Sequence, residues 1–243
     1  MDDARIARIT GVVGIACVAV TIYWFPIRRW MNRWGATPSD LTRVMAGDGL
    51  LVNPTYSGTM TIVVNARPEH IWPWLVQIGY QRGGLYSYDW LDRLFGYLDR
   101  PSATRILPEF QHLAVGDHIP LGRGPSWPVA AIEPNRALVL DMRNMGDFDW
   151  VWQFGLYTVD EKRTRLVSRS RVRTQTAWAR LLTYGIEPAR FLMTRRYLMM
   201  NILLLLIPSI LVQGLTTTRY WRCHAALPFV APTRGYLSSL RIS

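Results

Sequence analysis

Cysteine is nearly missing from this 243-residue chain: there are two, Cys17 inside an apolar run and Cys223 in the last stretch. Neither a disulfide framework nor a cysteine-based metal cluster is therefore expected. Histidine is sparse too, and His70, His112, His118 and His224 lack the short-range pairing of a helical zinc site. No metal or other cofactor is expected. Glycine-rich phosphate loops are missing: Gly122-Arg-Gly-Pro is a turn, without the lysine and helix start of a P-loop. His70 and His118 each sit beside an acid, Glu69 and Asp117, but in no nucleophile elbow or other catalytic motif.

Lysine is almost missing as well. Lys162 is the one lysine, and the other basic side chains are arginine, giving 28 basic against 17 acidic residues and a net charge of +11. Arginine suits phosphate and carboxylate contacts. The excess is spread over the chain, with 5 basic and 3 acidic residues in 1–40, 19 and 14 in 41–200, and 4 and 0 in 201–243. Such a distribution draws no nucleic-acid stripe and makes anionic lipid headgroups the natural neighbours. A hydrophobic fraction of 49% with 12% aromatics excludes general disorder.

Ile9 to Ile27 carries no charge and is bracketed by Arg5 and Arg8 before and by Arg28 and Arg29 after. As a helix it reaches roughly 28 Å, enough to cross a hydrocarbon core, and Tyr23, Trp24 and Trp30 stand where an interfacial belt belongs. A cleaved signal peptide would end on small residues; here Tyr-Trp-Phe-Pro and two arginines follow. Arg28, Arg29 and Arg33 weakly favour the cytoplasmic side of the cell membrane for the following domain by the positive-inside rule, and the four arginines of the tail oppose this if the second apolar run also crosses. The resulting division is 1–8 flank, 9–27 transmembrane helix, 28–40 linker, 41–200 folded domain, 201–218 apolar helix and 219–243 basic tail. A second uncharged run, Tyr197 to Thr218, is either a second span or a core helix ending near Pro208 with its continuation on the membrane surface.

The middle region reads as mixed α and β. Thr59 to Val64 is a strand; His70 to Ile78 and Tyr88 to Phe95 are helices; Asp117 to Leu121, Trp127 to Ile132 and Ala137 to Met142 are strands separated by turns. Phe148 to Tyr157 places Phe148, Trp150, Trp152, Phe154 and Leu156 on one face by period-two alternation. Its hairpin partner, Thr164 to Arg173, points Arg165, Arg169, Arg171 and Arg173 one way and Leu166, Ser168, Ser170 and Val172 the other. A long helix follows from Ala177 to about Leu206, with a break or turn expected near Gly185 to Pro188.

Several segments go beyond this element order: Pro68-Glu-His-Ile-Trp-Pro-Trp-Leu-Val-Gln-Ile-Gly, Arg82-Gly-Gly-Leu-Tyr-Ser-Tyr-Asp-Trp-Leu-Asp, Val115-Gly-Asp-His-Ile-Pro, Glu133-Pro-Asn-Arg-Ala-Leu-Val-Leu and Thr164-Arg-Leu-Val-Ser-Arg. With Trp34-Gly-Ala-Thr before them, they resemble the SRPBCC superfamily, the START-like and polyketide-cyclase/dehydrase-like proteins, over roughly residues 34 to 200. The resemblance implies an α+β helix-grip fold, a curved antiparallel sheet around a long C-terminal helix, with a cavity for an apolar molecule between them. It implies no catalytic triad, and fold alone does not fix function.

The ligand-contact candidates are Trp74, Arg82, Tyr86, Tyr88, Asp89, Trp90, Trp150, Trp152 and Phe154. Amphipathic rings with an acid nearby orient a polar group on an apolar guest. The competing structural reading makes Tyr86 and Trp90 core and has Asp89 capping a helix or pairing with Arg82. Arg28, Arg29, Arg165, Arg169, Arg171 and Arg173 are the candidate membrane-surface contacts, each contributing about 1 kcal/mol beside anionic lipid; the bland alternative for the strand arginines is a solvated sheet face. Three functions remain open: a membrane-tethered carrier of an apolar molecule or lipid, a cyclase- or dehydrase-like enzyme using Asp89 and Tyr88, and a membrane-bound interaction protein with a filled cavity.

Overall fold

The computed structural model describes residues 3–224, with side chains described from Thr10 to Met200 apart from Met145. The architecture is α+β. Helix α1 (Asp3–Ile22) passes through a π-helical turn (Tyr23–Ile27) into α2 (Arg28–Met31). The π turn has a local cause: Pro26 has no N–H to donate, and the Arg28 N–H reaches back to the Tyr23 carbonyl. Thr10–Met31 is long and apolar enough to cross a membrane, and none of its apolar window is buried in the protein.

Beyond α2 come α3 (Pro38–Thr42), β1 (Tyr56–Val64), α4 (Pro68–Val76) and α5 (Asp89–Leu94). Strands β2 (His118–Pro120), β3 (Ser126–Glu133), β4 (Ala137–Met145), β5 (Phe148–Asp160) and β6 (Arg163–Thr174) follow, and α6 (Ala177–His224) ends the described chain. The strands form one antiparallel sheet in the order β1-β6-β5-β4-β3-β2. Residues 32–34 run beside β1, with the Thr59 and Thr61 N–H groups donating to the Asn32 and Trp34 carbonyls at 2.8 and 3.0 Å, so the sheet edge is covered.

On one sheet face the core joins Ile71, Leu75 and Ile78 from α4 and its end to Leu138, Leu140, Phe154 and Leu166 on the strands and to Tyr197 and Leu198 on α6. Ile71, Leu75 and Ile78 follow the spacing of a helix with one buried stripe. Of the two indoles that flank Pro73, Trp74 is buried and Trp72 only partly so.

The other sheet face departs from expectation. Arg165, Arg169 and Arg171 are neither a solvated face nor free to meet lipid, because residues 37–52 lie across them. Asp40, fully buried and held in a capping box with Thr37, takes Arg165 at 2.5 Å. Asp48 takes Arg169 at 2.7 Å and Arg171 at 2.8 Å, and Arg173 donates to the Val52 carbonyl. On the neighbouring strands β4 and β5, Leu51 packs on Val139 and Val151. Asp40 and Asp48 sit 125 and 121 residues before the first strand arginine each holds, out of reach of any local pattern.

Helix α6 also differs from expectation, since it runs through Gly185 and Pro188 without a break. Proline at 188 removes one i→i−4 bond, but Ala179, Thr183, Glu187, Phe191 and Leu198 are buried on both sides of it and hold the helix in place. The chain divides into two compact units, Met1–Leu205 and Leu206–Ser243. In the second unit the backbone is helical to His224, so the expected tail begins inside a helix; its remainder, 225–243, lies outside the described residues, as do the side chains of the apolar run from 201.

Candidate functional site: a cavity between the sheet and α6

Between the inner sheet face and α6 lies a cavity of about 630 Å³, within the size range of small-molecule sites. Tyr56 and Met60 of β1, Ser168 and Ser170 of β6, Trp150 and Trp152 of β5, Met142 of β4 and Trp127 of β3 form its sheet wall. From α6 it receives Ile186, Ala189, Arg190, Met193, Thr194 and Tyr197, which share one helical face. The rim is exposed at Phe95, Tyr97, Arg123 and Ile186, while the inner end is closed by Tyr197 against Phe154, with ring centroids 5.7 Å apart. Ile186 and Tyr197 are three helical turns apart, roughly 16 Å.

The tryptophans are fixed as wall. Trp150 and Trp152 donate their indole N–H groups to Ser170 Oγ at 2.7 Å and Ser168 Oγ at 2.9 Å, and Trp127 meets both rings edge to face at 4.8 and 6.1 Å. The indole N–H groups of Trp150 and Trp152 are thus already satisfied across the β5–β6 pair and demand no polar partner from a guest. Further polar groups, Asn32, Tyr56 and Arg190, meet beside β1. Tyr56 donates to Asn32 Oδ1 at 2.7 Å, and the Arg190 guanidinium lies 4.0 Å from the Tyr56 ring centroid. Burial pushes the Tyr56 hydroxyl above its ordinary pKa, with Arg190 pulling the other way.

The apolar N-terminal helix is seated against the open half of the cavity. Trp24 packs on Tyr184, Arg28 bonds Glu187 through two contacts of 2.6 and 2.9 Å, and Trp30 packs on Phe191. These pairs rise together in number on both helices, so the two run in the same sense there. Arg28, expected at a lipid surface, is instead engaged with the fully buried Glu187, although Arg29 is exposed. The rim residue Ile186 therefore lies at the level of the end of the apolar helix.

Of the nine expected ligand contacts, Trp150 and Trp152 line the cavity and seven do not. Phe154 is fully buried behind Tyr197. Trp74 and Tyr86 pack on each other in the core, and Tyr86 bonds the Gln77 amide; burial pushes the Tyr86 hydroxyl up to about 12. Arg82 turns its guanidinium back to the Val76 and Ile78 carbonyls at 2.8 and 3.1 Å and lies over Phe110, closing the end of α4. Asp89 accepts from Ser102 Oγ at 3.1 Å and makes no salt bridge among the described residues; Tyr88 precedes it and Trp90 is exposed. The Arg82-Gly-Gly segment is a tight structural turn. Gly84 has φ +88° and donates to the Gly79 carbonyl, and a Cβ there would meet Ser102 Oγ at 2.6 Å.

Sequence reasoning missed Tyr56, Met60, Trp127, Met142 and the whole α6 wall. The signal for the helix wall was present, because 186, 189, 190, 193, 194 and 197 keep helical spacing, but it dissolves once a break is placed at Gly185 to Pro188.

Below the rim, Ser87 donates to Asp92 Oδ1 at 2.5 Å, while Asp92 Oδ2 meets no donor among the described residues. Burial pushes this carboxyl up to about 6, the Ser87 bond opposes it, and Asp89 adds to it. A raised carboxyl pKa means that the folded state holds the proton more tightly than the unfolded state. Stability therefore falls as pH rises from about 4 through about 6 and is level above that, by on the order of 2 kcal/mol. Asp92→Asn is expected to abolish this slope and to be the more stable protein at pH 7.5, with the two proteins equal near pH 4. Thermal melts across that pH range check it, and parallel pH profiles would refute it.

No family model and no curated protein matches the sequence. Among solved structures, CalU16 of Micromonospora echinospora is 16% identical, covering 60% of this chain and 75% of that one with a TM-score of 0.36. DynU16, described as a protein of the dynemicin biosynthetic locus, is 14% identical over 60% of this chain and 46% of that one, TM-score 0.38. Protein Ms6760 of Mycobacterium smegmatis is 13% identical over 63% and 93%, TM-score 0.36. Likeness at this level assigns no activity to this chain.

Proposed function

We propose that this is a membrane-anchored helix-grip protein that binds or transfers an apolar small molecule, held between the sheet and α6. The observation that carries the proposal is the 630 Å³ cavity walled by Trp127, Trp150, Trp152 and the methionines, with the Trp150 and Trp152 N–H groups already satisfied by serines. Such a wall offers contact area and asks for little hydrogen bonding in return, which favours hydrocarbon or ring systems. The seating of the Thr10–Met31 helix supports delivery from a bilayer, because it brings the rim to the level of the helix end. Exposed Trp90 and Leu94 on α5, with Trp178, Leu181, Leu182 and Ile186 on α6, add apolar surface around it.

A cyclase- or dehydrase-like activity has less support. No aspartate, glutamate or histidine is among the described cavity-lining residues, and Asp89 and Tyr88 lie outside the lining. An interaction protein working through the strand arginines loses its surface to Asp40 and Asp48. The test is solvent extraction of the full chain purified from membranes, followed by mass spectrometry. A stoichiometric apolar compound is expected, and a protein that yields none, before or after incubation with membrane lipid extract, would sink the carrier reading.

A further inference from the structure

We infer that the guest is an amphiphile with an anionic oxyacid head, a carboxylate or a phosphate, and that Arg190 is the residue that receives that head. The inference deepens the carrier reading and rests on it. Two cationic side chains, Arg123 at the rim and Arg190 further in, are among the described residues lining the cavity, and no carboxylate accompanies them. The acid one turn before Arg190, Glu187, is spent on Arg28 at 2.6 and 2.9 Å. Arg190 makes no salt bridge among the described residues. Its hydrogen bond to Ser170 Oγ is long, 3.5 Å, and that oxygen already accepts from Trp150 at 2.7 Å.

A guanidinium carries five N–H donors in a planar fork that matches an oxyanion two bonds at a time. Here most of that capacity is unspent, in a half-buried position on an apolar wall where an unpaired charge is costly. The surroundings fix its place, since the ring of Tyr56 lies beneath it at 4.0 Å and Tyr56 is itself tethered to Asn32. An oxyacid head seated here would find Arg190, with the Tyr56 and Ser170 hydroxyls close by, while its chain runs along Met193 and the tryptophans towards Tyr197.

The test uses the full chain in phosphatidylcholine nanodiscs, titrated with decanoate, decyl phosphate and 1-decanol while tryptophan fluorescence is read. Partitioning into the disc is common to all variants and cancels in their ratios. Wild type is expected to bind the two anions about 10-fold or more tighter than Arg190→Gln does, the worth of one charge-assisted pair. Decanol should change much less than the anions between the two proteins, and Arg190→Lys should restore part of the anion affinity. Decanoate against decyl phosphate then separates a fatty-acid head from a phospholipid-like one. Anion affinities equal in wild type and Arg190→Gln, or a loss as large for decanol as for the anions, would overturn the inference and leave the cavity reading intact. Failure of all three ligands to bind would overturn the cavity reading and the inference with it.

Discussion

Asp48→Asn is expected to cost the domain about 3–5 kcal/mol, the usual consequence of leaving a buried charge without its partner. Asp48 accepts from the Met45 N–H at 2.9 Å, from Arg169 at 2.7 Å and from Arg171 at 2.8 Å. The asparagine can keep the Met45 bond but cannot balance Arg169, whose side chain is only 5% exposed. Arg169 would keep its bonds to Thr59 Oγ1 and to the Arg43 and Asp40 carbonyls and so could not swing out to water without breaking them. Urea unfolding of the full chain measures the loss. A double variant, Asp48→Leu with Arg169→Met, should recover part of it, since replacing both partners removes the charge as well as the bond; a single variant as stable as wild type would show that the arginines do not clamp this segment.

The same carboxylates set the acid limit of the fold. Burial alone would raise Asp48, but the Met45 N–H and the Arg171 and Arg169 partners outweigh it and hold the carboxyl below its ordinary value. Asp40 behaves alike through Arg165 and Thr37. A depressed carboxyl pKa contributes stability that is fully present above the unfolded value, near 4, and is lost as pH falls through the lower folded value. Acid unfolding should therefore begin below about pH 4 and shift upward in Asp48→Asn.

The second large effect concerns the cavity. Ala189→Phe combined with Thr194→Phe places two rings on the α6 wall and is expected to weaken uptake of an apolar ligand about 100-fold, the removal of roughly 3 kcal/mol of apolar contact. Neither substitution touches a buried polar network, and both fill unoccupied volume, so the melting temperature should hold or rise. The pairing of outcomes matters: a destabilised variant that loses ligand shows only damage, whereas a stable one that loses ligand locates it. Undiminished uptake by the folded double variant would place the ligand elsewhere.

Much of the fold was legible because its signals are periodic. Alternation alone set the inward side of β5 and β6 and put Trp150, Trp152, Ser168 and Ser170 on one surface. The apolar N-terminal helix needed only length and the arginines beside it. Other features were closed to such reasoning. A row of arginines on a strand looks the same whether water or a distant carboxylate faces it, and Asp40 and Asp48 lie far away in sequence. The aromatic cluster around Gly83 and Gly84 looked like a site by composition, yet Tyr86 packs into the core and Arg82 closes the end of α4, while Trp90 is exposed. Arg190 was hidden for the opposite reason, since a lone arginine on a long helix is normally solvated and its inward direction follows only once α6 is known to be unbroken.

The central claim is that a guest occupies the space between the sheet and α6. Photolabelling of the full chain in its native membrane with an alkyl-diazirine fatty acid, read by peptide mass spectrometry, addresses this most directly. The cavity account predicts adducts on Trp127, Met142, Trp150 and Met193, displaced by unlabelled fatty acid. Adducts confined to Thr10–Met31 and the outer apolar residues, with the inner wall unlabelled, would contradict it.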